Sequence, residues 1–419
     1  MTLNGLSCPY QFAYKKHHST ETILVKVTND ILMASDSQTA TVLMLLDLSA
    51  AFDTVDHGLL LKILNYEIGI RGTALAWFSS FLKGRAQRVR LGNITSETVT
   101  ILFGVPQGSV LGPVLFNIYI RSIYKCVQKL GFKIFGYADD HQVLKSFVPS
   151  EQLKVLSIQL VDCFDAIQKW MMQYFLQLNG PKTQLIIFGS SRIFERIVIS
   201  GAHLNLKTTV RFVSVVKNLG FTMDNKLNFQ NQIIMLKKKC FCTIRNIFKI
   251  RYLLSADDIK IVVNSMIMSC LDYCNCLYFG IGEKLLNQLQ IIQNSAAKVI
   301  TGKKKHDHVG SDLTMLHWLD IKKRIIFKIA LLAYKAINGL APAPIQDMFQ
   351  YAHYGHALKL VTPYVRSKYG QRSFSFVATK LYNNLPSYIT CADNTTSFKK
   401  LLKTFLFKLP ISDIKKLTN

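Results

Sequence analysis

The sequence predicts an α+β protein whose mixed first half gives way to a mostly helical second half. Two observations carry this. Up to about residue 224, short apolar or alternating runs with strand spacing interleave with helical runs, and beyond residues 224–228 nearly every segment has helical period. The unbroken apolar run Thr41 to Leu46 ends at Asp47, as a buried central strand does. At 49% hydrophobic and 11% aromatic over 419 residues, the chain has apolar surface enough for two or three packed cores.

The elements follow in order. Thr20 to Met33 places Ile23, Leu24, Val27 and Ile31 on one helical face, and the strand Thr41 to Leu46 comes next. Leu59 to Leu64 and Thr73 to Leu82 read as helices. Gln87 to Leu91 and Val99 to Phe103 read as short strands around a turn at Gly92-Asn93. Val110 to Ile120 is a helix after the turn Pro106-Gln107-Gly108. Lys133 to Tyr137 and Gln142 to Lys145 are the arms of a hairpin with Ala138-Asp139-Asp140 at its tip. Glu151 to Phe175 is helical, Gln184 to Phe188 a strand, and Lys207 to Met223 a further hairpin. Asn231 to Arg251 is a basic helix, Ser255 with Asp258 caps the next one, and Gly302 followed by three lysines closes a long helix. These two breaks, near 224–228 and at 302–305, are the domain boundaries.

Charge and thiols narrow the function. Lys and Arg total 51 against 25 Asp and Glu, a net charge of +26. Such a surface favours a polyanion, with nucleic acid ahead of an anionic membrane or a merely basic soluble protein. The apolar stretches, such as Ile325 to Tyr334 with Lys328 inside, fall short of the roughly 20 residues that cross a bilayer. Met1 to Tyr14 lacks the layout of a signal peptide, so an intracellular protein of nucleus or cytoplasm is expected. Nine cysteines lack zinc-ribbon spacing and read as reduced, mostly packed thiols.

The chemistry lies in three carboxylates. Asp47 ends an apolar strand, and Asp139 with Asp140 sits at the tip of an apolar hairpin, where solvation is poor. No Lys or Arg lies within three residues of Asp47, and the nearest to the pair are Lys133 and Lys145. A divalent metal is the natural partner, and oxygen ligands of this kind suit Mg²⁺. Two such ions roughly 4 Å apart would serve an in-line displacement at phosphorus. Each piece alone has a plainer reading, since an Asp after a strand is commonly a cap and Asp-Asp in a hairpin commonly a turn.

Together the pieces resemble the reverse transcriptase family, in its non-LTR, LINE-type branch. Leu45 to His57 (LLDLSAAFDTVDH) resembles the first catalytic motif and Tyr137-Ala138-Asp139-Asp140 the metal-binding hairpin. The resemblance implies that Asp47, Asp139 and Asp140 hold two Mg²⁺ ions, with Mn²⁺ as a substitute. Gly104 to Pro113 (GVPQGSVLGP) is similar to the template-and-nucleotide motif, which implies contacts from Gln107 and Gly108. Phe52, five residues after Asp47, stands at the aromatic steric gate against ribonucleotides. Leu178-Asn179-Gly180-Pro181-Lys182-Thr183 resembles the motif whose lysine protonates pyrophosphate or neutralises the triphosphate, a catalytic role for Lys182. Val216 to Phe221 (VKNLGF) resembles the primer-grip hairpin. Gln11-Phe12-Ala13-Tyr14-Lys15 resembles a fingers motif written around Gly-Phe-Arg, with Lys15 where arginine is expected as a nucleotide contact. Leu271 to Asn275, Leu289 to Ala297 and Leu316 to Leu319 look like later blocks of CR1, L2 or Jockey elements.

The resemblance implies a right-hand polymerase: partial fingers over 1–34, a palm with an antiparallel sheet and helices over 35–225, a helical thumb over 226–302 and a mostly helical C-terminal region over 303–419. On this reading the chain starts partway through the fingers. On the thumb helix, Lys237, Lys238, Arg245 and Lys249, with Lys239 and Arg251, would face phosphate while Ile233, Ile234, Phe241, Ile244, Ile247 and Phe248 pack. Past residue 305, Arg324, Lys328, Lys335 and Trp318 either bind the element's RNA or complete the packing. The implied activity is RNA-directed DNA polymerisation, with RNA template, DNA primer and dNTPs as partners, no organic cofactor and no membrane. The alternatives are a truncated, element-derived protein that binds nucleic acid with weak or no catalysis, and a domesticated interaction protein. All three aspartates are retained, which favours the enzyme.

Overall fold

A computed structural model describes residues 8–149, 153–199, 211–354, 357–410 and 413–418. The chain forms two compact units. One gathers residues 1–18, 41–187 and 193–213; the other gathers 19–40, 188–192 and 214–419.

The first unit is built on a five-stranded sheet. Its strand order is Arg211–Phe212, Gln184–Phe188, Ala40–Leu46, Asp140–Phe147, Lys133–Tyr137. The apolar run of the sequence becomes the middle strand Ala40–Leu46, with Val42, Leu43, Met44 and Leu46 buried, as a strand covered on both faces requires. Lys133–Tyr137 and Asp140–Phe147 pair antiparallel, with Tyr137 opposite Asp140, so the connection has only two residues, Ala138 and Asp139. Arg211–Phe212 runs parallel to Gln184–Phe188.

Helices Leu153–Gln173 and Arg121–Lys129 pack against each other, and the second lies against the strand Lys133–Tyr137. Arg121–Lys129 was not expected. Its buried residues Ile123, Tyr124 and Val127 have helical spacing, but a break at Ile120 separates it from helix Gly112–Tyr119. The expected strands around Gly92-Asn93 are a two-tier ribbon, Arg85–Gln87 with Val99–Ile101 and Arg90–Leu91 with Ile94–Thr95.

In the second unit, the hairpin of Val215–Asn218 and Phe221–Asp224 leads into the long helix Gln230–Ile250. The hairpin expected from Lys207 is thus narrower, and residues 207–210 lie outside the described residues. The Asp224 carboxylate accepts the N–H groups of Lys226, Asn228 and Phe229 just before that helix. Helix Glu283–Thr301 packs on it and ends where Gly302 takes a φ of 75°, the expected glycine stop. Ser255 and Asp258 form the expected capping box. Helix Ile321–Ile337 is buried against Phe374–Asn384 and Thr395–Lys408. The helix Thr20–Asp36 joins this unit, its Asp36 carboxylate accepting the N–H groups of Arg366 and Ser367. A hairpin, Tyr351–Tyr354 with Ala357–Leu360, interrupts the helices where none was expected.

No described helix is long and apolar enough to cross a membrane. All nine cysteines are free thiols, with Cys163, Cys240, Cys274 and Cys276 buried.

Candidate active site

The carboxylates come within reach of one another's charge because of how three short segments are tied. Asp47 follows the middle strand directly. The next two residues, Leu48–Ser49, pair with Gln177–Leu178, and the Asn179 N–H donates to the Asp47 carbonyl at 2.8 Å. Asn179 then caps the single turn Gly180–Lys182, its side chain accepting the Lys182 N–H. This places the Lys182 ammonium 3.9 Å from the Asp47 carboxylate, on a side chain 71% exposed. An ion pair that open is loose.

Asp139 and Asp140 arrive on the adjacent hairpin, and among the described residues neither has an ion-pair partner. Asp140 reaches solvent, yet its carboxyl is pushed up to about 6, by burial first and then by the charges of Asp139 and Asp47. Asp140 therefore feels two like charges, while the Lys182 ammonium leans on Asp47. The donor set is hard oxygen, and its unrelieved repulsion fits a divalent ion. Among the described residues no group of three or more His, Cys, Asp or Glu stands in ligand arrangement.

The segments after Asp47 are equally tied. The Gly104 N–H donates to the Val55 carbonyl at 2.8 Å and the Val105 N–H to the Phe52 carbonyl at 2.9 Å, while His57 Nε2 lies 2.7 Å from the Gly104 carbonyl. Gly104 has a φ of 87°, and a Cβ there would sit 2.9 Å from the Asp53 backbone, so only glycine permits the approach. Gln107 donates to Asp53 Oδ1 at 2.7 Å on the exposed surface, and Gly108 is an exposed turn residue with a φ of 79°. Phe52 is half-buried, stacked on Phe116 at 4.2 Å between ring centroids.

Residues 2–223 match the family of reverse transcriptases (RNA-dependent DNA polymerases). The chain belongs to this family. It is 28% identical over 302 residues to the RNA-directed DNA polymerase from the mobile element jockey of Drosophila melanogaster, a match covering 70% of this chain and 32% of that protein. It is 25% identical over 314 residues to the probable RNA-directed DNA polymerase from transposon X-element of the same fly, covering 72% and 33%. These relatives bear out the LINE-type branch, and the chain spans about a third of their length. A telomerase structure from Candida tropicalis in complex with a fragment of telomeric RNA aligns over 98% of this chain and 55% of its own, at 12% identity and a TM-score of 0.36, too low to support any inference.

In this reverse transcriptase-family chain the remaining expected residues fall elsewhere. Lys15 is half-buried and donates to the Cys8 carbonyl; burial lowers its pKa, and none of its contacts reaches the aspartates. Lys238, Arg245 and Lys249 are exposed on helix Gln230–Ile250 and Lys237 is half-buried, all in the second unit. The expected apolar side of that helix needs correcting. Ile233, Leu236, Cys240 and Ile247 are buried, whereas Ile234 and Phe248 are 50% and 67% exposed. The reason is geometric: the buried face is one narrow stripe, and Ile234 and Phe248 fall beside it.

The sequence reading missed Gln11. Its side chain is 1% exposed and binds the hairpin turn from both sides, Oε1 accepting the Ala138 N–H and Nε2 donating to the Ala138 carbonyl, each at 3.0 Å. A glutamine beside Phe12 and Ala13 was the available signal, since a buried amide must find partners. The partner, 127 residues away, was not available from the sequence.

Proposed function

We propose that the chain is the catalytic part of an RNA-directed DNA polymerase that extends a DNA primer on an RNA template. One observation carries the reading: Asp47 and Lys182 are tied by the Leu48–Ser49 and Gln177–Leu178 pairing while Asp140 feels the charges of Asp139 and Asp47. Asp47, Asp139 and Asp140 would hold the ions. Two Mg²⁺ ions, when bound, supply Lewis acidity to the primer 3′-hydroxyl and to the leaving pyrophosphate. Lys182 would meet the triphosphate and place a proton on the leaving oxygens. Gln107, steadied by Asp53, and Gly108, whose turn is open, would lie against the nascent base pair. Phe52, braced by Phe116, would exclude a ribose 2′-hydroxyl.

The fingers, palm, thumb and C-terminal bounds at 34, 225 and 302 belong to the same reading. On the thumb helix, Ile234, Lys238, Phe241, Arg245 and Phe248 follow each other at three- and four-residue steps. Apolar and basic groups thus alternate along one stripe, suited to a duplex groove with phosphates on its rim. A second reading, nucleic-acid binding with weak catalysis, draws on Lys15, a point charge already spent on the Cys8 carbonyl where the family carries a forked arginine. The test is oligo-dT extension on poly-A with and without Mg²⁺. Metal-dependent extension supports the polymerase; salt-sensitive binding without extension supports the second reading.

A further inference from the structure

We propose that Gln11 is a positioning residue that fixes the turn carrying Asp139, and that this clamp sets the geometry in which the carboxylates take up metal. The proposal rests on the reading of Asp139 and Asp140 as ligands. The two-residue connection requires Ala138 at a φ of 58°, a region unfavourable to any residue with a Cβ, so the turn needs support from outside the hairpin. Gln11 supplies it. Its segment lies along the hairpin's outer strand, the Phe12 N–H donating to the Gly136 carbonyl at 2.7 Å and the Gly136 N–H to the Tyr10 carbonyl at 2.9 Å. Gly136 leaves room for its neighbours, since a Cβ there would lie 2.2 Å from the Tyr124 hydroxyl of helix Arg121–Lys129 and 3.2 Å from Gln11 Nε2.

From that anchorage the amide reaches two residues along to both backbone groups of Ala138, and its oxygen also accepts the Ala13 N–H at 3.0 Å. A primary amide is what the site needs. It accepts twice and donates once from one planar group, which an ionised glutamate cannot do. On the other side of the turn His141 Nδ1 lies 2.8 Å from the Asp139 carbonyl, so Asp139 is bracketed by two buried polar side chains. Such outer partners orient ligands, and losing one characteristically costs ten- to a hundredfold in metal affinity or activity.

The test compares the full chain with Gln11→Met, Gln11→Glu and the double variant Gln11→Met/Ala138→Gly. Free Mn²⁺ is titrated by electron paramagnetic resonance, alongside kcat and KM for dTTP on poly-A/oligo-dT. Gln11→Met should lose about tenfold or more in Mn²⁺ affinity and about 30- to 100-fold in kcat, with KM for dTTP and primer–template binding within about threefold. Gln11→Glu should fall between, since a carboxylate keeps the two acceptor bonds but sets an oxygen against the Ala138 carbonyl. Ala138→Gly should return part of the Mn²⁺ affinity, because glycine holds a positive φ unaided. Wild-type Mn²⁺ affinity in folded Gln11→Met overturns the proposal. If Gln11→Met does not fold, Gln11→Glu decides, and unchanged Mn²⁺ affinity there overturns it equally. Absence of extension by the wild-type chain would count against the polymerase reading instead, and the Mn²⁺ titration would still judge the clamp.

Discussion

Charged residues serve opposite ends in the two units. In the second, outside the exposed basic stripe of helix Gln230–Ile250, three cations are held by the architecture: Arg324 binds both carboxylate oxygens of Asp272, Lys328 lies 3.1 Å from Glu21, and Lys303 lies 2.9 Å from Asp312. In the first, the loosely held Lys182 leans on Asp47, Asp140 feels the charges of Asp139 and Asp47, and the polar side chains of Asn179, His57 and Gln11 bind backbone instead. Charge is left largely unneutralised in the one place and paired in the other. Beyond residue 305, Arg324 and Lys328 pair with Asp272 and Glu21, and Trp318 is buried.

Breaking the contrast at its functional end should have the largest effect. Asp139→Asn replaces a carboxylate with a poor ligand for a hard cation and should lower extension about a thousandfold, while filter binding of primer–template changes less than about threefold. Wild-type-like extension by the variant would return Asp139 to the role of a turn residue.

Phe52→Val sharpens the comparison within the first unit. Removing the ring should raise ribonucleotide over deoxynucleotide incorporation by about ten- to a hundredfold, with a modest loss of stability from the broken stack on Phe116. An unchanged ratio in folded protein would make the stack its whole purpose.

Breaking the frame should act on stability alone. Arg324→Met leaves Asp272 without its guanidinium and should cost about 2 kcal/mol, a fall in Tm of roughly 4–8 °C. Extension per folded molecule should stay constant, and a selective loss of activity at unchanged Tm would contradict the division of labour.

The smallest effect is a pH dependence. The folded-state carboxyl of Asp140 sits at about 6 against an ordinary 3.8, so the folded protein holds that proton more tightly than the unfolded chain. Its contribution to stability is full below about 3.8 and is lost as pH rises to about 6, where the folded state must carry, at a penalty, a charge that burial and its neighbours disfavour. A bound cation removes the penalty. The rise in Tm on adding Mg²⁺ should therefore be slight near pH 4 and grow through about 6, and Asp140→Asn should flatten it. A metal-induced shift that ignores pH would exclude Asp140 from the ligands.

What was legible in the sequence was periodic or local. The middle strand, the hairpin Lys133–Tyr137 with Asp140–Phe147, the capping box at Ser255 and the stop at Gly302 all follow from patterns within a dozen or so residues. So did the three carboxylates, as anions at the ends of apolar runs. What was illegible depends on distant partners: Gln11 with Ala138, Lys328 with Glu21, and the exposure of Ile234 and Phe248, decided by which stripe of their helix meets Glu283–Thr301. Helix Arg121–Lys129 was hidden differently, by a break at Ile120 in a continuous apolar pattern.

Whether Asp47, Asp139 and Asp140 form one cation site is tested most directly by Mn²⁺ titration, read by electron paramagnetic resonance, of the wild type, Asp47→Asn, Asp139→Asn and Arg324→Met. Both aspartate variants should lose most of the bound Mn²⁺ while Arg324→Met binds as the wild type does. Equal Mn²⁺ binding by all four proteins would contradict it.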